Sequence, residues 1–130
     1  MGNFQSGSEI PVVSVTPDKY LPNRYAGASG DFNPIHVDKE FATMVGLPGT
    51  ILHGLWSMSQ VARAATQAAG SDPRNLKSLS VQFRGMGSPE QEVVVTGTVT
   101  EADDSTATLA MEAAQGESRI IRNAVAVITN

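Results

Sequence analysis

Two hydrophobic periodicities divide the chain. Over residues 55–69 the apolar positions recur at helical spacing: Leu55, Met58, Ala62, Ala65 and Ala69 make one stripe, widened by Trp56, Ala64 and Ala68. Only Gln60, Arg63 and Gln67 are distinctly polar there, so the pattern predicts a long, largely buried helix over 55–69, closed by Gly70 and Asp72-Pro73. The period then changes to two. Leu79, Val81 and Phe83 alternate with Ser78, Ser80 and Gln82, and Val93, Val95 and Val99 stand among Thr96, Thr98 and Thr100. Residues 106–113 and 120–128 continue in the same style, which predicts four successive strands. The breaks at 85–90, 101–105 and 115–117 are short and turn-rich, so strands adjacent in sequence are expected to pair antiparallel. The helix's small residues, Ser57, Ser59, Ala62, Ala64, Ala65, Ala68 and Ala69, let another backbone come close, as when a curved sheet wraps one helix.

The N-terminal half is more broken. A polar lead over 1–9 precedes a β-branched run at 10–15, a further strand. Thr16-Pro17-Asp18 is a helix-start signal with Thr16 as N-cap, and Tyr20, Leu21, Arg24 and Tyr25 follow at helical spacing. Pro22 makes the expected helix over 18–28 short or kinked, and Gly30 supports its end. Residues 38–45 predict another short helix, stopped by Gly46-Leu47-Pro48. The pattern by itself supports an α+β domain with an antiparallel sheet. No 20- to 50-residue repeat or low-complexity tract suggests a second domain.

Composition narrows the function. At 130 residues the chain is one domain able to bury a core. Charged residues are 17% of it, below the roughly 25% of an average soluble chain, a pointer to surface covered in an oligomer. The net charge of −4, with no long run of either sign, argues against nucleic acid and polybasic membrane contacts. Cysteine is absent, which removes disulfide and thiolate chemistry, and no apolar stretch fits a signal core or a membrane span. The cytoplasm is the expected setting.

The chemistry concentrates at Ser29-Gly30-Asp31-Phe32-Asn33-Pro34-Ile35-His36, which holds a carboxylate, a carboxamide and an imidazole within eight residues. Gly30 permits close backbone approach, and Pro34 fixes its own φ and pushes Asn33 out of helical geometry, so a rigid, non-helical loop is expected. A stiff turn would aim Asp31 and His36 at one point, such as a water molecule. Asp-x-Asn-Pro is also a common turn composition, so these residues alone leave a structural role open. The stretch SGDFNPIH, with Tyr25 before it and Ala42 after it, closely resembles the signature of the MaoC-like, or R-specific enoyl-CoA hydratase 2, family. The similarity extends through His53-Gly54 and most of the chain from residue 14 onward. Gly85-Met86-Gly87-Ser88-Pro89 departs from the Pro-Val-x-Pro-Gly-like turn usual after Phe83-Arg84.

The resemblance implies a single hot-dog domain over 10–130, with a five-stranded antiparallel sheet wrapped around a central helix. It implies reversible syn hydration of a trans-2-enoyl thioester, on CoA or acyl carrier protein, to the (3R)-hydroxyacyl thioester. Asp31 and His36 would be the catalytic pair, Asn33 would orient the water or the pair, and the Gly54 backbone N–H would hold the developing oxyanion. Helix N-termini suit that last task. No metal or organic cofactor is called for. Which of Asp31 and His36 is the base stays open, and His53 is read as a satisfied, buried imidazole. Trp56, Met44, Val45 and Leu47 are candidate acyl-tail contacts and Arg84, Lys77, Arg119 and Arg122 candidate phosphate contacts, none assigned. A homodimer or dimer of dimers is expected, because a five-stranded sheet leaves edges to cover. The rival readings are a catalytic subunit of a heteromeric 3-hydroxyacyl-carrier dehydratase, a hot-dog thioesterase and a non-catalytic acyl-thioester binding module.

Overall fold

The computed structural model describes residues 4–130, so the first three residues of the lead lie outside the described chain. Strands β1 (Val13–Val15), β2 (Leu76–Phe83), β3 (Val93–Ala102), β4 (Thr106–Gln115) and β5 (Ser118–Thr129) form one antiparallel sheet in the order β1-β3-β4-β5-β2. Helices α1 (Leu21–Ser29), α2 (Pro34–Val37) and α3 (Lys39–Met44) precede the long α4 (Gly54–Ala68), which packs on β2 through β5. This is the hot-dog arrangement. Val61, Ala64 and Ala65 of α4 meet Val93, Val95 and Val99 of β3, Leu109 of β4, and Ile121, Ala126 and Ile128 of β5 in one buried core. Each large aliphatic side chain so buried contributes about 1.5–3 kcal/mol, and the alanines let helix and sheet approach.

The buried face of α4 is part of the predicted stripe and its extension, since Trp56, Ala64, Ala65 and Ala69 are buried, but Leu55 is 62% exposed and Ser57, Gln60 and Val61 turn inward as well. With alanine on several sides the helix carries little periodic contrast. Trp56 and Val61, its largest buried apolar groups, set the rotation instead.

Two other expectations change. Residues 10–15 give only the three-residue β1, because Pro11 offers no N–H to a ladder. The chain before it still follows β3, with Gly7 N–H donating to Val99 C=O and Ile10 N–H to Gly97 C=O (2.8 and 3.0 Å). Strand β2 does not pair with β3, its neighbour in sequence; it pairs with β5 and forms an edge. The nine residues 84–92 reach about 30 Å when extended, ample for the roughly 14 Å of three strand spacings. This connection is pinned as it crosses: Arg84 and Gly85 N–H both donate to Ile120 C=O, Leu52 N–H to Gly87 C=O and Glu90 N–H to Pro17 C=O. A Cβ on Gly85 would stand 2.4 Å from the Arg119 carbonyl oxygen, and one on Gly87 2.9 Å from Leu52 Cδ1. The two glycines are what let the chain thread there. The β3–β4 and β4–β5 hairpins form as the pattern predicts.

Helix α1 begins at Leu21 rather than near Asp18, and Thr16 does not cap it. Pro22 falls in its first turn, where a missing N–H costs nothing, and the Asp18 carboxylate accepts from Tyr20 N–H (2.9 Å) just before it. The helix ends on Gly30 at φ 80°, whose N–H donates to Ala26 C=O (2.8 Å).

Candidate active site

Past Gly30 the backbone is held by a ladder of short local bonds. Ser29 Oγ accepts from Asp31 N–H (3.1 Å), Asp31 Oδ1 from Asn33 N–H (3.2 Å) and Asn33 Oδ1 from Ile35 N–H (3.2 Å). Each is a side chain bonding the backbone two residues on, the habit of Ser, Asp and Asn in turns. The motif is not non-helical throughout, as expected from Pro34. Pro34 opens the single turn α2, with Asn33 as its N-cap at φ −52° and ψ 128°, so the same proline that breaks one helix starts another. His36 therefore rides on a helical turn. Asn33 spends its side-chain carbonyl oxygen on that cap.

The turn brings Asp31 and His36 face to face. His36 is buried, its Nδ1 lies 2.8 Å from the Ile51 carbonyl oxygen, and its Nε2 lies 3.9 Å from Asp31 Oδ2. A carbonyl only accepts, so Nδ1 carries a hydrogen, and in the neutral tautomer this leaves the Nε2 lone pair turned toward Asp31. The Asp31 side chain is 54% exposed, which opens the pair to solvent on the carboxylate side. Ile51 is itself tied down, its N–H donating to Ile35 C=O (3.1 Å).

Directly against the pair sits His53. Its ring is stacked on His36, with centroids 3.8 Å apart and planes 19° from parallel, and Tyr25 packs nearby at 4.7 Å. Its Nε2 is 2.9 Å from the Asp31 carbonyl oxygen, while its buried Nδ1 has no partner among the described residues. The imidazole is thus buried as expected but not satisfied, and it belongs to the site. The cue in the sequence was its position next to Gly54.

Gly54 is the first residue of α4, and no carbonyl among the described residues accepts its N–H, the ordinary condition of a first-turn donor. The stacking of His53 brings this helix start beside the pair, one peptide away. A Cβ on Gly54 would stand 3.1 Å from the ring of Phe83, which is 50% exposed and walls that side.

The other candidates divide. Trp56 is core, Met44 and Val45 are exposed, and Leu47 is half-buried. Arg84, Arg119 and Arg122 line a surface depression of about 380 Å³ with Glu117, whereas Lys77 is not among them and donates to Arg74 C=O (3.0 Å). Asp31, His36 and His53 place donor atoms within 4.8 Å of one another, the crowding of a metal site. The stacked imidazoles argue against it: their free lone pairs lie in nearly parallel planes and do not converge on an ion about 2.1 Å from both nitrogens.

The hot-dog scaffold thus brings the motif and the start of α4 side by side, and comparisons with known proteins give the family. A family model described as "MaoC like domain" matches residues 7–119. The chain belongs to the MaoC-like family. It is 40% identical over 85 residues to the fatty acid synthase subunit beta of Saccharomyces cerevisiae, covering 62% of this chain and 4% of that protein. It is 32% identical over 111 residues to the peroxisomal multifunctional enzyme type 2 of Drosophila melanogaster, covering 72% of this chain and 18% of that one. The chain thus spans a small part of these curated relatives. Among solved structures, the (R)-hydratase from A. caviae involved in PHA biosynthesis superposes over the full length of both chains with a TM-score of 0.82 at 22% identity, a likeness of fold.

Proposed function

We propose that this chain adds water reversibly to trans-2-enoyl thioesters, carried on CoA or on acyl carrier protein, to give (3R)-hydroxyacyl thioesters. The observation that carries the reading is the pair of acceptors, His36 Nε2 and Asp31 Oδ2, 3.9 Å apart. A water about 2.8 Å from each would subtend roughly 90° between them, near its own H–O–H angle. It donates one hydrogen to each acceptor and keeps a lone pair free for C3. As that oxygen bonds to C3, the pair takes one proton, and the enolate charge on the thioester oxygen rests on the Gly54 N–H. The same pair returns the proton to C2 from the same face, which makes the addition syn. This sequence of steps draws on no metal or organic cofactor.

The partners and setting belong to the proposal. Strand β2 leaves one edge of the sheet unpaired, and Phe83 at its end stands exposed against Gly54, the residue before the exposed Leu55. A second copy pairing along this edge would cover both. The cytoplasm is the proposed location, and no helix among the described residues is long and apolar enough to cross a membrane.

Kinetics test the reading. Asp31→Asn and His36→Ala should each stay folded and slow hydration of crotonyl-CoA by roughly 10²- to 10⁴-fold, the usual worth of a positioned acid or base. Near wild-type turnover in either variant overturns it, and release of free thiol would favour a thioesterase.

A further inference from the structure

We infer that His53 is a positioning residue for the Asp31–His36 pair, holding the main chain of one member by a hydrogen bond and the ring of the other by its face. The inference rests on the hydratase reading of that pair. His53 is 2% exposed and comes from the segment before α4, 22 residues from Asp31 in sequence. Since the Asp31 carbonyl can only accept, His53 Nε2 carries the hydrogen, and its Nδ1 is left as an acceptor. That nitrogen is buried without a partner among the described residues. A buried, unpaired acceptor is a net cost to folding, which Phe or Leu in the same space would avoid. Packing is therefore a poor account of a histidine here. What the imidazole has and Phe lacks is the N–H on Asp31.

The two contacts divide the work. His36 is fixed at one edge by the Ile51 carbonyl, and stacking at 3.8 Å and 19° fixes its face, so its Nε2 keeps one direction. Asp31 lies in the non-helical stretch between Gly30 and α2, with a half-exposed side chain. Its Oδ1 is engaged by Asn33 N–H, and its carbonyl by His53 N–H, which leaves Oδ2 facing His36. Among the described residues, His53 touches both members of the pair. A reaction in which one water must meet C3 while a proton returns to C2 depends on that alignment, and a displacement of about 1 Å costs on the order of 10²-fold.

The test uses His53→Phe, which keeps a ring face and loses the donor, and His53→Gln, which keeps an N–H able to reach Asp31 C=O. Circular dichroism checks folding, and steady-state hydration of crotonyl-CoA gives kcat and KM. The Phe variant should lose about 10- to 10²-fold in kcat with KM changed less than about threefold, and the Gln variant should recover most of that loss. The decisive readout is a double-variant cycle with Asp31→Asn. If His53 acts through the pair, adding His53→Phe to Asp31→Asn costs little more, whereas a structural defect multiplies with it. Should the Phe variant not fold, His53→Met, adaptable and lacking an N–H, takes its place in the same cycle. Wild-type kcat in the donorless variant, or multiplied losses in the double variant, overturns the inference even where Asp31→Asn is slow. A fast Asp31→Asn enzyme instead overturns the hydratase reading beneath it.

Discussion

Gly54 allows the oxyanion assignment to be separated from everything else a glycine does. It is the first residue of α4, the helical position where proline is tolerated because the N–H has no intrahelical acceptor. His53 has φ −65° and ψ 136°, a conformation that the residue before a proline prefers, and Gly54 has no positive φ. Gly54→Pro therefore removes one hydrogen-bond donor without asking the backbone to move. Its side effect is steric, since a Cβ there comes 3.1 Å from Phe83 Cδ1 and Cε1. Gly54→Ala carries the same Cβ and keeps the N–H, and the half-exposed Phe83 ring has room to yield by a few tenths of an ångström. The ratio of the two variants compares the N–H with the ring CH2 that replaces it. Loss of one oxyanion donor costs about 10²- to 10³-fold in kcat, or about 2.7–4 kcal/mol of transition-state stabilisation. Both variants should melt near the wild type. With crotonyl-CoA, followed by loss of the conjugated enoyl-thioester absorbance, the Pro variant should be slower than the Ala variant by that factor. A Pro variant as active as its Ala counterpart would refute the role of this N–H.

Further outcomes follow from other parts of the molecule. Gly85→Ala puts a Cβ 2.4 Å from the Arg119 carbonyl oxygen, main chain that cannot swing aside, so thermal melts should show a loss of about 1–3 kcal/mol. The carboxyls of Asp18, held by Arg24, Asp72, held by Arg74, and Asp103, held by the Ser105 and Thr106 N–H groups, titrate below their ordinary range. Groups with lowered folded-state pKa stabilise above the unfolded value and lose that contribution as pH falls through the folded one. Tm should hold as pH drops toward about 4 and decline below it; a Tm that rises on acidification contradicts this. Light scattering at micromolar concentration should report at least twice 13.7 kDa, and a clean active monomer would remove the proposed pairing while leaving the chemistry.

How far the chain could be read without coordinates depended on whether one residue had one physical meaning. Gly30 did: a left-handed helix end before the motif, found at φ 80°. Pro34 had two, helix breaker and first helical residue, and only its tertiary setting chose the second. The strand segments were plain from their alternation, but a strand's own pattern does not name its neighbours, and β2 took the edge beside β5 because the 84–92 connection is long enough to cross. The face of α4 is legible only in part: Trp56, Ala64, Ala65 and Ala69 point inward as their spacing suggests, but alanine is nearly silent in a periodic pattern, so the exposed Leu55 and the buried Gln60 are not. Asp31, His36 and Gly54 came from a specific motif, and the structure brings their segments together. His53 carried no signal of its own, since a buried histidine in an apolar run is common; its value lies in two contacts made across 22 residues of chain.

The claim that a single water is delivered by the Asp31–His36 pair from one face of the substrate is tested most directly by stereochemistry. The purified protein would be incubated with crotonyl-CoA in deuterium oxide and the 3-hydroxybutyryl product resolved by chiral chromatography, with the deuterium at C2 placed by NMR. The product should be (3R)-hydroxybutyryl-CoA with hydroxyl and deuterium added syn, formed roughly 10²- to 10⁴-fold more slowly by Asp31→Asn. A (3S) product, or anti addition, would contradict it.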